Sequence, residues 1–207
     1  MGFNNLSDLD AIQLDALREV GNIGSGHAAT SLASMLNTDI QIEVPSISLI
    51  NYEHVSQYLG GKDRRVIGLA LGLEGDLDGV MLHVVQREFA SQIINTFYPK
   101  EIKTLDDVNE MDLSAVKETS NITTAAYVNA MAQLTGLFIN ITPPIDYIDT
   151  VEQVLKNASN RFDAISSQVL YIDENLHWGN AAAKSSMILI LHMDSLQKLF
   201  DRLRVPC

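Results

Sequence analysis

Two side-chain pairs of one kind recur in this sequence: Glu19 with Asn22, and Glu118 with Asn121. On a helix, residues three and four apart share a face. Asp15, Glu19, Asn22, Gly26, Ala29 and Ala33 therefore fall in one stripe, and Ser114, Glu118, Asn121, Ala125, Val128 and Ala132 in its counterpart. The carboxamide donates and accepts hydrogen bonds without ionising. A carboxylate and a carboxamide one turn apart, followed by small residues, suit a surface that another protein approaches closely. A lone Glu-x-x-Asn is ordinarily an exposed polar face; recurrence at one place in two copies is what gives the pattern weight. Gly21, Gly24 and Gly26 each cost roughly 1 kcal/mol relative to Ala in a helix interior, so close packing or access for a partner is expected to compensate.

The recurrence extends well beyond these pairs. Placing Leu14–Pro45 over Leu113–Pro144, a shift of 99 residues without a gap, aligns Leu14, Ala16, Glu19, Asn22, Ile23, Ala33, Ile40, Ile42 and Pro45 with identical residues. Nine identities in 32 positions exceed the roughly one in fifteen that this composition gives by chance, and mark a tandem duplication. Each copy reads Asp15 or Ser114, three residues, Glu, two residues, Asn, twenty-two residues, then Pro45 or Pro144.

Apolar spacing predicts the elements that must carry the stripes. A helix is expected from about Ser7 to Leu36, capped by Ser7 or Asp8 and ended by Asn37, then a strand Ile40–Val44 stopped by Pro45. A short helix His54–Leu59, a hairpin of Arg65–Leu73 and Gly79–Val85 turning at Glu74–Asp78, and a helix Arg87–Phe97 complete the first half. Tyr98–Asn109 reads as a linker. The second half repeats the order: helix Asp112–Leu134, strand Phe138–Ile141, short helix Val151–Lys156, strands Ala164–Ile172 and Ala183–His192, helix Leu196–Leu203. Its inter-strand connection, Asp173–Asn180 with Trp178, reads as longer than the one in the first half. The expected fold is α/β in an α+β layered form: a single pseudo-two-fold-symmetric domain over 1–207, halves about 7–97 and 110–204. An antiparallel-rich sheet packs against the two long helices that carry the sites.

Composition bounds the function. With 14 Lys+Arg against 26 Asp+Glu in 207 residues the formal charge is −12, which argues against nucleic acid and anionic membrane surfaces. A hydrophobic share of 46 % with 19 % charged residues is that of an ordinary globular chain. The single cysteine, Cys207, permits no intrachain disulfide and no cysteine-based zinc site. No signal peptide, myristoylation pattern or membrane-length apolar run is read, so a cytoplasmic protein is expected.

Several other patterns lead nowhere. Gly21-Asn-Ile-Gly-Ser-Gly26-His27-Ala28 lacks the Lys and the Ser/Thr of a phosphate-binding loop. Asp76-x-Asp78-Gly79 lacks the spacing and terminal Glu of a calcium loop. His27, His54, His83, His177 and His192 form no close ligand pairs; His83 and His192 read as equivalent strand positions of the two halves. No cofactor or metal is expected in this chain.

The doubled motif, with the run Glu19-Val-Gly-Asn-Ile-Gly-Ser-Gly-His-Ala-Ala29, resembles the CheC family of bacterial chemotaxis phosphatases, grouped with CheX and FliY. Both copies match the family signature in full; in the second, Thr119-Ser-Asn-Ile-Thr-Thr replaces the glycine-rich run. The resemblance implies hydrolysis of the phospho-aspartyl group of CheY, the response regulator. The regulator's own acidic cluster and Mg²⁺ would hold the phosphoryl oxygens, and Asn22 and Asn121 would each hold a water in line with the phosphorus. By the same resemblance Glu19 and Glu118 pair with a lysine of the regulator, while Asp15, Ser114, Pro45 and Pro144 support. Binding of CheD, the receptor deamidase, is also implied. A non-catalytic adaptor for phosphorylated CheY and CheD is the alternative, and a flagellar-switch component is a more distant one. The internal duplication implies that a monomer suffices.

Overall fold

The computed structural model describes residues 11–162, 167–178 and 181–203. The proposed caps Ser7 and Asp8, the start of the strand expected from Ala164, the end of the connection at Asn180, and Cys207 lie outside them. The chain runs α1 (Ala11–Leu36), β1 (Ile40–Ile42), β2 (Ser46–Asn51), α2 (Val55–Tyr58), β3 (Arg65–Gly75), β4 (Gly79–Val85) and α3 (Arg87–Phe97). After a 3₁₀ turn at Leu105–Asp107 come α4 (Glu110–Thr135), β5 (Ile139–Ile141), β6 (Ile145–Thr150), α5 (Val151–Arg161), β7 (Gln168–Trp178), β8 (Ala181–Leu191) and α6 (Met193–Leu203). The fold is α+β.

All eight strands join one antiparallel sheet in the order β1-β7-β8-β4-β3-β5, with β2 also on β7 and β6 also on β3. The short strands of each half thus pair with the hairpin of the other half, and β4 meets β8 at the centre. Strand residues alternate between two faces. Ile67, Leu69 and Leu73 of β3 pack with α1, α3 and α4, while Val66 and Ala70 pack with Val154, Leu155 and Ala158 of α5. Every residue of β4 is buried, as a central strand covered on both faces requires. Among the described residues, no helix is long and apolar enough to cross a membrane.

Three expectations need correcting. Pro45 and Pro144 do not stop the strand segments for good: β2 and β6 begin directly after them, because a proline without a donor fits the bend between two strands. The polar run Asp173-Glu-Asn-Leu-His177 is not a connection but the second half of β7, whose side chains find partners. Asn175 Nδ2 donates to Glu43 at 2.7 Å, His177 Nε2 lies 2.9 Å from Glu43, and Tyr127 donates to buried Glu174. Finally, His83 and His192 are not equivalent. β7 repeats β3 at an offset of 103 residues (Arg65 to Gln168), Leu69 pairs with His83, and its counterpart Ile172 pairs with Met187. The counterpart of His83 is therefore Met187, and His192 falls beyond the end of β8.

Candidate functional site

Over the described residues the two long helices lie at the 99-residue offset, Ala11–Leu36 against Glu110–Thr135, and end at equivalent residues. α1 sorts its residues cleanly. Leu17, Val20, Gly21, Gly24, Ala28 and Leu32 are buried, while Asp15, Glu19, Asn22 and Gly26 are exposed. α4 exposes Ser114 and Glu118 and leaves Asn121 and Ala125 half-buried, but Val128 is in the core. The second stripe is therefore shorter than its spacing implies.

The glycines of α1 divide by role. A methyl group at Gly24 would lie 2.6 Å from Cδ1 of Tyr127, so the missing side chain lets α1 and α4 come together around that ring. A methyl at Gly21 would lie 3.0 Å from Cγ of Pro45 and 3.4 Å from Cδ1 of Ile47. Nothing stands within 4 Å of one at Gly26, which opens onto solvent in the site stripe.

The contact at Gly21 explains the twenty-two-residue spacing. From Asn22 the helix runs away to Leu36, about 21 Å at 1.5 Å per residue. Asn37, in the left-handed conformation at φ 49°, ends it. The segment from Thr38 to Pro45, with β1 in its middle, then returns over a comparable length at about 3.4 Å per residue. Pro45, buried, thus comes back to the level of Gly21, the residue before Asn22. In the second copy Ser120 holds the place of Gly21; its hydroxyl is buried without a hydrogen bond among the described residues, and Pro144 is half-buried. Pro45 thus lies on the side of α1 that carries Gly21.

At the first site, Asn22 Nδ2 points toward Glu19 Oε2 at 3.5 Å, the outer limit of a hydrogen bond. Asp15 Oδ1 accepts from Arg18 at 2.8 Å. At the second, Glu118 and Asn121 have no side-chain hydrogen bond or ion pair with another described residue, and Ser114 donates to the Glu110 carbonyl at 2.9 Å. Lys117, the residue before Glu118, pairs with Asp146 of β6. Among the described residues no cation pairs with Glu19 or Glu118, and each has its carboxamide one turn further on.

The platform is fixed at the N-terminus of α4 and from below. Asn109 caps α4 by accepting from the Asp112 amide at 3.0 Å, and Asp112 returns a bond from the Asn109 amide at 2.8 Å. Burial of Asp112 works to raise its pKa, but bonds from Lys100, Tyr98 and the Asn109 amide outweigh it and hold the carboxyl below its usual range. Below the helices, Tyr127 donates to Glu174 of β7. Burial pushes the Glu174 carboxyl up to about 7 and holds the Tyr127 phenol above its ordinary range. His83 Nε2 lies 2.8 Å from Ser185 Oγ, and burial lowers its pKa to about 3. None of this buried group was legible from motifs, since Glu174 sits in a run of polar residues that reads as a loop. Among the described residues, no cluster of three His, Cys, Asp or Glu side chains could hold a metal ion.

The model of the CheC-like family matches residues 12–49 and 111–145, the two helix–strand units that carry the paired residues. Over 192 residues the chain is 31 % identical to the CheY-P phosphatase CheC of Bacillus subtilis, covering 91 % of this chain and 92 % of that protein. It is 27 % identical over 150 residues to the flagellar motor switch phosphatase FliY of the same organism, of which it spans 39 %. Among solved structures, Thermotoga maritima FliY matches with a TM-score of 0.74 at 22 % identity, over 95 % of this chain and 98 % of that one. The FliM middle domain from H. pylori matches at 0.68 and 9 % identity, over 94 % and 99 %, a likeness of fold alone. A doubled Glu–Asn motif on paired helices, matched by the family model in both halves and by near-full-length identity to a CheC, places this chain in the CheC-like family.

Proposed function

We propose that the chain is a chemotaxis phosphatase that hydrolyses the phospho-aspartyl group of a CheY-type receiver domain, using one site on each long helix. The observation that carries this reading is the same pair, an exposed carboxylate that pairs with no cation among the described residues and a carboxamide one turn on (exposed at Asn22, half-buried at Asn121), at the same register of α1 and α4. Names of the relatives support the substrate: CheC is called a CheY-P phosphatase and FliY a motor switch phosphatase.

In this reading Glu19 or Glu118 takes an ammonium group of the receiver, which seats the helix over the acyl phosphate. The amide of Asn22 or Asn121 accepts from a water and donates to it, and so sets its oxygen in line with phosphorus. The water oxygen bonds to phosphorus as the bond to the aspartyl oxygen breaks. The products are inorganic phosphate, which keeps the water's oxygen, and the free aspartate carboxylate. Acyl phosphates hydrolyse unaided, so positioning the water is what the chain contributes, and the receiver's own Mg²⁺ balances the phosphoryl charge. Asp15 and Ser114 act beside the reacting atoms, and Pro45 and Pro144 act through the helix backbone. We place the protein in the cytoplasm as a monomer, with CheD as a second partner.

Phosphate release from a phosphorylated CheY-type receiver tests this with the wild-type chain, Asn22→Ala, Asn121→Ala and the double variant. Each single variant should keep part of the activity and the double variant should lose it, a hundredfold loss being about 2.7 kcal/mol of transition-state stabilisation. A wild-type chain that binds the phosphorylated receiver but never speeds release would instead make it an adaptor.

A further inference from the structure

Each site carboxylate directly follows a cation, Arg18 before Glu19 and Lys117 before Glu118. The charge of such a cation adds to the local potential that an incoming ammonium meets. In both copies a carboxylate holds the cation, but the carboxylate comes from a different place. In the first, Asp15 one turn back bonds Arg18 at 2.8 Å. In the second, that position is Ser114, whose hydroxyl is engaged by its own helix, and Lys117 pairs across to Asp146 on β6. The residue equivalent to Asp146 in the first copy is Ile47, which packs at Gly21. Each copy therefore carries one acid for its cation, at one of two positions, and an uncharged residue at the other.

From this exchange we infer that Asp146 is a positioning residue of the second site and does the work that Asp15 does at the first. Each acid neutralises and holds the cation beside the site glutamate, so that the glutamate meets the partner's ammonium unopposed. The inference rests on the proposed receiver-phosphatase reading. At Arg18 and Asp15, whose side chains are 74 % and 73 % exposed, an exposed pair contributes little to folding; Lys117 and Asp146 are 34 % and 31 % exposed, so there stability is measured beside KM. Their effect is on local potential, where like charges set against each other weaken docking.

The test isolates each site. In the Asn22→Ala chain, which leaves the second site, Asp146→Asn should raise KM for the phosphorylated receiver roughly fivefold at low salt with little change in kcat, the scale of an exposed charge interaction. That loss should fade by 0.5 M salt, because the interaction is screened. Adding Lys117→Met should restore KM, since the cation left unheld is gone. Asp15→Asn, rescued by Arg18→Met, should behave alike in the Asn121→Ala chain. Melting temperatures of all variants report whether the fold is retained. A KM that does not move with Asp146→Asn overturns the inference, as does a loss that Lys117→Met fails to repair or that salt leaves unchanged. If the parent chains release no phosphate, the phosphatase reading itself fails, and the inference with it.

Discussion

At the scale of single residues, the case for Asn22 as the water-holding group rests on its being an amide and not an acid. Its side chain is exposed, and its nitrogen leans toward Glu19 rather than into the core. Asn22→Asp preserves the shape and one acceptor oxygen but removes both N–H donors, and it sets a second carboxylate beside Glu19 and opposite a phosphoryl group. If the amide orients water, this near-isosteric change should reduce first-site turnover as severely as Asn22→Ala, by on the order of a hundredfold. Phosphate release in the Asn121→Ala chain measures it. Activity that survives the acid would mean that a general base, and not an oriented water, is the working principle. The paired residues themselves were legible in the sequence because they are a repeated pattern. Asp146 was not, because it lies on another element and only the fold brings it to Lys117.

At the scale of elements, α1 shows how a helix can carry three glycines, each in a different environment. Gly24→Ala gains roughly 1 kcal/mol of helix propensity but drives a methyl into the Tyr127 ring, an overpacking that costs about 1–3 kcal/mol. The net should be a loss, visible as a lower midpoint in urea unfolding. Gly26→Ala meets nothing and should raise the midpoint by the propensity alone, about 0.5–1 kcal/mol. If both changes shift stability alike, the close approach of α1 and α4 at Tyr127 is not tight. Periodicity found both long helices because each keeps a buried and an exposed side over seven turns. It missed β2 and β6, where a proline at a bend looks like a terminator, and the outer half of β7, where Glu174 is buried among polar neighbours and so breaks the expected alternation. A polar residue inside a strand is recognisable only once its partner on another element is known.

At the scale of the whole molecule, the exchange of short strands between halves makes the two sites parts of one body, and a buried polar group ties the body together at its centre. The duplication was readable from 99-residue spacing, whereas the pairing of β1 and β2 with β7 and of β5 and β6 with β3 was not, since long-range register leaves no local signature. At the central strands His83 on β4 reaches Ser185 on β8, and Glu174 on the adjoining β7 takes the Tyr127 hydroxyl from α4. These two titrating groups act on stability in opposite senses. His83 falls to about 3 from 6.5 because burial penalises its cation. The unfolded chain therefore binds the extra proton between those values, and stability is lost as pH drops through that window. Glu174 rises to about 7 from 4.5, again through burial. Here the folded chain holds the extra proton, and stability is lost as pH climbs from 4.5 toward 7. Each contributes a slope of about 1.4 kcal/mol per pH unit inside its window. From 4.5 to 6.5 the two slopes cancel, leaving their joint contribution flat. Glu174→Gln keeps an acceptor for Tyr127 and removes the alkaline slope, so its stability relative to wild type should rise between pH 4.5 and 7. His83→Gln keeps a partner for Ser185 and removes the acid slope, so its stability relative to wild type should rise as pH falls from 6.5 toward 3. Urea unfolding of the three proteins at half-unit pH steps gives both difference curves. Difference curves that stay level across these windows would show that neither group changes its proton affinity on folding.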